Sequence, residues 1–268
     1  MNFQKNFLCG DRLFYLNPYF RDMLGRRHLL LSLGTAVAPL MPLIMEMPIA
    51  VAVTLLGVAV GSLIPDSDTS GSTVFRLQVP GLRGRIGKVI NNSVAPLLPV
   101  FGYISRYTIL FPVTWLLDHL LDEDVSRGHR DFSHSLTGAG SFLLLTSVYL
   151  FPVALWLGSF DLLPWFVSGY AFGFLMHLLQ DSCTVSGIRW LYPFRSLKLS
   201  GSLVTRSGSQ SDRRPEYLVY VLGILLSGLA AASVNPSLTT SYVSFLGAFL
   251  VSVLWAVFVS GVASVRID

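Results

Sequence analysis

Long apolar runs separated by short polar stretches dominate the chain. Runs at 29–47, 49–64, 136–157, 162–180, 217–234 and 241–261 each approach the ~20 apolar residues that cross a hydrocarbon core as a helix, so six spans are expected. A further apolar stretch, 94–121, is interrupted by Pro96, Pro99, Gly102 and Pro112 and carries Arg106. One span, a re-entrant pair or a helical hairpin in the interface all fit it. The connections are of two kinds. The turns at 46–48, 158–161 and 235–239 contain no Lys or Arg, whereas loop 69–93 holds Arg76, Arg83, Arg85 and Lys88, and loop 181–216 holds six Lys or Arg. The positive-inside rule places both basic loops in the cytoplasm, together with the N- and C-termini, provided that 94–121 crosses an even number of times or not at all.

Composition agrees with this reading. Hydrophobic residues make up 52% of the chain and charged residues 13%, against roughly 25% charged in soluble domains; the mean hydropathy is +0.60. The expected fold class is therefore all-α, a multi-pass helical membrane protein forming one membrane-embedded domain over 1–268. The formal charge is +4, and the basic loops lack interleaved aromatics, so membrane lipids are the expected partners and nucleic acid is not. Oligomeric state is left open. Cys9 and Cys183 build neither a disulfide framework nor a zinc-type CxxC pair. The first residues lack an uninterrupted apolar core, so no cleaved signal peptide is expected.

Three polar clusters stand against this background. His177 and Asp181 are four apart, on one helical face, and imidazole with carboxylate is a common pair for zinc and also suits manganese or iron. A polar pair at a helix end is the bland alternative. Asp66 and Asp68 follow Pro65 at the mouth of a span, where a loop can turn both inward as ligands, or one as ligand and one as general base. Ordinary turn and cap residues look the same. His129 and His134 are five apart, about 140° around a helix, and fit better on a loop entering a helix with Ser133 or Ser135 near its N-cap. Arg130 between them can hold a phosphate or an oxyanion, or contact a lipid headgroup. His28 serves equally well as a further ligand or as an interfacial histidine. Asp118-His119 is not counted among the ligands. With both basic loops inside, all three clusters lie on one side of the membrane.

Taken together, Gly61-Ser-Leu-Ile-Pro65-Asp66-Ser-Asp68, His129-Arg130-Asp-Phe-Ser-His134-Ser135 and Gly173-Phe-Leu-Met-His177-Leu-Leu-Gln-Asp181-Ser-Cys-Thr184-Val-Ser-Gly187 resemble the YdjM-type family of inner-membrane predicted metal-dependent hydrolases. The likeness covers about 25–195 and leaves 217–261 as a two-helix C-terminal extension. Two departures are Asp131, where a glycine is more usual, and that extension. The resemblance implies a metal set of Asp66, Asp68, His129, His134, His177 and Asp181, with His28 matching an early family histidine. It also implies a distant likeness to zinc-dependent phospholipase C and P1 nuclease, hence phosphoester substrates. The expected function is a hydrolase at the cytoplasmic membrane face, using a divalent metal, zinc first, on a small-molecule or lipid-linked phosphoester. Asp68 is the candidate general base, and Arg130 the group that stabilises developing charge. The alternatives are a non-catalytic membrane protein with a structural metal site, and a metal-ion transporter.

Overall fold

The computed structural model describes residues 22–79, 84–121, 125, 130–204, 212–235 and 237–267. Among them are nine α-helices: α1 (Asp22–Leu40), α2 (Pro48–Gly61), α3 (Gly84–Ser93), α4 (Leu98–Ile104), α5 (Phe111–Leu121), α6 (Leu136–Trp156), α7 (Leu163–Ser182), α8 (Arg214–Ser233) and α9 (Thr240–Val257). Three short strands, β1 (Ile188–Arg189), β2 (Lys198–Ser200) and β3 (Arg266–Ile267), form an antiparallel sheet in which Leu199 pairs with both Ile188 and Ile267. Six helical stretches are long and apolar enough to cross a membrane: Gly25–Ile44, Gly87–Leu121, Leu136–Trp156, Phe160–Ser182, Arg214–Ser233 and Thr240–Val262. The protein is an all-α, multi-pass membrane protein.

Two expected elements come out differently. The second expected span, 49–64, is the 14-residue α2, roughly 21 Å long and short of a ~30 Å hydrocarbon core. It stops at Gly61, and Pro65 then opens a 3-10 turn over Ile64–Asp68. The ambiguous stretch 94–121 is helical over nearly its whole length. Pro96 and Pro99 sit in the first positions of a 3-10 turn and of α4, where the missing N–H costs least, and a π-helical stretch, Ser105–Leu110, joins α4 to α5. Arg106 lies on that π stretch with its guanidinium 5.7 Å and 5.5 Å from the ring centroids of Phe75 and Phe111. Cation–π attraction thus gives a home to the one basic residue left over by the loop pattern.

The closest helix crossing is α2 against α7. Gly57 and Gly61 on α2, and Gly169 and Gly173 on α7, repeat at four-residue spacing and so line one face of each helix. A Cβ added at Gly61 would lie 2.1 Å from the Tyr170 carbonyl oxygen, and one at Gly173 would lie 2.3 Å from that of Val58. Backbone touches backbone here, the small-xxx-small packing of membrane helices.

Helix α1 lies between this pair and the C-terminal hairpin, α8 and α9. Polar ties fasten both sides. Trp255 Nε1 donates to Thr35 Oγ1 at 2.9 Å, Arg27 Nη2 donates to Glu216 Oε1 at 2.9 Å, and Gln180 Nε2 donates to Ser32 Oγ at 3.1 Å. Arg214 at the head of α8 donates to the Ser202 and Val262 carbonyls at 2.9 and 2.6 Å, which anchors the hairpin to the sheet loop. One buried cluster fills the space around α2 and α7 and a second the space under the hairpin.

Candidate metal centre

The stripe that lets α7 approach α2 continues as chemistry. Positions 169, 173, 177 and 181 are each four apart, so the two glycines are followed on one face by His177 and Asp181. Close approach puts the Ser62 carbonyl 2.7 Å from His177 Nδ1. A carbonyl can only accept, so Nδ1 carries a proton and Nε2 is the nitrogen turned toward the rest of the group. His134 is arranged likewise. Ser133 Oγ donates to Asp68 Oδ2 at 2.8 Å and lies 2.9 Å from His134 Nδ1, which therefore donates to the hydroxyl and turns Nε2 toward His177. The two Nε2 atoms face each other at 3.2 Å, both rings fully buried.

Two carboxylates complete the group. Asp66 Oδ1 is 3.4 Å from His134 Nε2 and 3.7 Å from His177 Nε2; Asp181 Oδ2 is 3.4 Å from each. A tetrahedral ion with bonds of ~2.0–2.1 Å has ligand–ligand edges of about 3.3–3.4 Å. Four of the five separations are 3.2–3.4 Å and the fifth is 3.7 Å, and Asp66, His134 and His177 form one set of donor atoms lying mutually within 4.8 Å. Two facing Nε2 atoms beside the buried Asp181 and part-buried Asp66 carboxylates call for positive charge between them, a proton or a cation. The donor set, two nitrogens and two oxygens, suits zinc, manganese or iron.

The remaining candidates surround this group. Asp68 Oδ2 lies behind His134, 3.6 Å from Nδ1, outside the sets whose donor atoms lie mutually within 4.8 Å. His28 stacks on His177 with ring centroids 4.1 Å apart, its Nε2 3.6 Å from the second Asp181 oxygen, Oδ1. Those three residues form a second set of donor atoms that lie mutually within 4.8 Å. Arg130 Nη2 donates to Asp181 Oδ1 at 3.2 Å, and Nη1 donates to Thr184 Oγ1 at 2.8 Å and to Ser186 Oγ. Arg130 also has φ +72°, the left-handed region that non-glycine residues seldom enter. His129 lies outside the described residues. Asp118 and His119 stand apart: Asp118 accepts from Val125 N at 2.7 Å, and His119 Nδ1 faces the Trp115 carbonyl at 2.8 Å.

Local structure explains these positions. Ser135 is the N-cap of α6, accepting from Gly138 N at 3.0 Å, and it ends the 3-10 turn that carries Ser133 and His134. Beyond α7, Thr184 Oγ1 donates to the Asp181 carbonyl at 2.7 Å, and Gly187 takes φ +58°, which a side chain would strain. Ser62, Ser133 and Ser186 also contribute, through a carbonyl and two hydroxyls that carry no ligand signature in the sequence. The glycine spacing on α2 and α7 was the available signal.

Two charge properties follow. Burial alone would raise the Asp66 carboxyl, but positive charge on the His177 and His134 rings, protonated when no ion lies between them, outweighs it and holds the group below the usual carboxylate range. Cys183, just past α7, has its thiol pushed up to about 12, first by burial and then by the Asp181 carboxylate. At pH 8 its thiolate fraction is then roughly one in ten thousand. In a Cys9→Ser variant, alkylation at pH 8 is expected to run at least a hundredfold slower in the folded protein than in denaturant. Equal rates by mass spectrometry would contradict the burial of this thiol.

Comparison with known proteins comes in two parts. Two curated relatives, both described as inner membrane protein YdjM, come from Escherichia coli (strain K12) and Shigella flexneri. Each is 36% identical over 86 residues, 32% of this chain and 41% of the relative, so the chain spans about two fifths of the length of the curated relatives it matches. No solved structure matches. The family described as YdjM inner membrane protein matches residues 23–263, which takes in α2, α7, every residue of the His/Asp group and the C-terminal hairpin. This chain, with its paired glycine stripes and buried His/Asp group, belongs to the YdjM inner membrane protein family.

Proposed function

We propose that the protein is a membrane-bound, metal-dependent hydrolase acting on a phosphoester of a lipid or lipid-linked molecule, with its centre at the cytoplasmic face indicated by the Lys and Arg distribution. The observation that carries this reading is the pair of facing imidazoles, His134 and His177, with carboxylate oxygens of Asp66 and Asp181 each 3.4–3.7 Å from both Nε2 atoms. These four residues would hold the ion, zinc by preference. When bound, a divalent ion supplies Lewis acidity, polarising the ester and acidifying water. The chain's own groups do the rest. Ser62 and the Asp68–Ser133 pair fix the two imidazoles in the ligand-ready tautomer. Arg130 orients Asp181 and brings positive charge beside the position where negative charge builds up. Asp66, the most exposed carboxylate of the group at 17%, is the corner that can yield to water or substrate.

The second reading is a structural ion that ties α2, the 132–135 turn and α7 together. It is favoured by the fact that all four corners are protein atoms, as in closed zinc sites. Metal analysis of detergent-purified protein, followed by phosphoester and lipid-phosphate hydrolysis with and without chelator, separates the two. Chelator-sensitive phosphate release supports the hydrolase. A stoichiometric ion with no release from any substrate, and a fold that melts on chelation, supports the structural reading. Absence of a bound transition metal overturns both.

Asp68 gives a finer test. As the carboxylate behind His134 it orients a ligand, and such partners are worth about 10–100-fold in metal affinity. An Asp68→Asn variant is expected to weaken the ion by that factor in a competition titration while retaining stoichiometric binding at saturation. Complete loss of binding would make Asp68 a direct ligand.

A further inference from the structure

Six helices run between two sides of the molecule, and contacts at their ends identify those sides. His28 near the start of α1, Asp66 after α2, His134 before α6 and Asp181 at the end of α7 meet at the centre. Arg27 on α1 pairs with Glu216 at the head of α8, whose Arg214 donates to the Val262 carbonyl just past α9. On the opposite side Thr240 at the head of α9 donates to Glu46 in the α1–α2 turn. The helical stretch Gly87–Leu121 is long and apolar enough to cross as well. Its contacts place it otherwise. Near its start, Asn91 Oδ1 accepts from Val79 N at 2.8 Å. In its middle, a Cβ added at Gly102 would lie 3.1 Å from the Phe75 ring and 3.2 Å from Val74. Those two residues follow Thr73, whose side chain fills the space beside Gly25, three residues ahead of His28. Near its end, Asp118 accepts from Val125 N at 2.7 Å. The five-residue step from Val125 to Arg130, which is bonded to Asp181, reaches at most about 18 Å. Start, middle and end are thus all tied to the centre's side. Positions 91 and 118 lie about 40 Å apart along a straight helix, more than the ~30 Å hydrocarbon core, so a crossing would carry one of them past the opposite side.

The inner face of this stretch packs on spans. The Phe101 ring stacks on Phe166 of α7 with centroids 5.9 Å apart, and the Tyr149 hydroxyl of α6 donates to the Thr108 carbonyl at 3.2 Å. The outer face carries Val100, Tyr103, Tyr107, Trp115, Leu116 and Leu120, all exposed and mostly three or four residues apart. A stripe of this size is costly in water, whereas hydrocarbon covers the aliphatic groups and the headgroup boundary suits Tyr and Trp. We propose that residues 87–121 do not cross the membrane but lie along it, embedded in the leaflet on the centre's side, with the 100–120 face as a contact surface for the lipids of that leaflet. The Lys and Arg distribution makes this the cytoplasmic leaflet. The π stretch of the helix packs on the Ile64–Asp68 turn, so lipid of this leaflet lies one helix away from Asp66 and Asp68. The inference stands without the hydrolytic reading and adds to it the leaflet from which a lipid reaches the centre.

The test places single cysteines in the full-length Cys9→Ser chain, with buried Cys183 left in place and the signal of the Cys9→Ser chain alone subtracted. Sealed membrane vesicles of each orientation are treated with a maleimide that cannot cross the bilayer. Arg195→Cys, between β1 and β2, reports the centre's side, and Asp161→Cys, in the turn between α6 and α7, reports the opposite side. Asn92→Cys and His119→Cys, both at exposed positions, are expected to react from the same side as Arg195→Cys and to be protected from the other. Reaction of His119→Cys together with Asp161→Cys overturns the proposal. Silence of either end from both sides also counts against it, because it puts that end inside the hydrocarbon. The lipid contact is read separately, with a bimane fluorophore on Tyr107→Cys in vesicles of phosphatidylcholine brominated on its acyl chains. Most of the fluorescence seen in unbrominated vesicles is expected to be lost. Unchanged fluorescence would mean that water or a protein, such as a second copy of this chain, covers the face, and the lipid surface would be wrong. Neither readout uses metal or hydrolysis, so an inactive or metal-free protein sinks the hydrolase and leaves this inference to its own result.

Discussion

A His177→Ala, Asp181→Ala double variant is expected to purify without divalent metal where the parent chain carries about one ion, a loss of at least tenfold in occupancy. The two residues are adjacent corners of the donor group and come from the same helix face. What is left, Asp66 and His134, is a pair 3.4 Å apart that can only hold an ion completed by water, and such two-donor sites exchange readily. Alanine is the best helix former, and α7 owes its place to glycine contacts and an apolar surface, so helicity by circular dichroism is expected to stay at the parent level. Elemental analysis of both proteins from the same preparation is the deciding measurement. Parent-level metal in the double variant would remove the foundation of the proposed chemistry.

Gly173→Val is expected to have nearly as large an effect while touching no ligand. Its Cβ would lie 2.3 Å from the Val58 carbonyl oxygen and 2.9 Å from Ser62 N, both backbone atoms that cannot swing aside. Overpacking of a close interface costs about 1–3 kcal/mol, and the readiest relief is for α7 to move off α2. That movement breaks the hydrogen bond between His177 and the Ser62 carbonyl one turn away. The expected result is a lower thermal midpoint together with reduced metal occupancy, although every donor is still present. Gly223→Ala, at a site with nothing within 4 Å, is the control and is expected to be neutral or slightly stabilising. Equal stability and metal content in Gly173→Val and the parent chain would contradict the backbone contact of α2 and α7.

Much of the His/Asp group is legible in the sequence because its residues contradict their surroundings. Asp66, His134, His177 and Asp181 are ionisable groups inside or beside hydrocarbon-like runs, and four-residue spacing alone placed His177 and Asp181 on one face. The charge bias of the loops puts Asp66 and His134 on one side of the membrane, provided that 94–121 crosses an even number of times or not at all, and the two stand 3.4 Å apart. Asp68 was read as a ligand or general base because it sits two residues from Asp66. Its place behind His134 depends on the 3-10 turns of Ile64–Asp68 and Phe132–His134, which no local pattern announces. His28 was poised between two readings. Its ring packs on His177 because α1 is pressed onto α7 by the hairpin, a contact between residues far apart in the chain.

By itself, then, the amino-acid order determined the class of the protein, the positions of most of its apolar helices, and the identity of the ionisable residues set in apolar surroundings. The reason is that hydropathy and ligand type are properties of short segments. Tertiary structure alone decided that α2 falls short of a full span, that 94–121 is a helix with a π stretch, and that α2 and α7 touch through their backbones. It also decided which carboxylates are corners of the group and which stand behind them. Those outcomes depend on distances between residues up to about two hundred positions apart, and packing sets such distances to within a few tenths of an ångström only once every helix is in place.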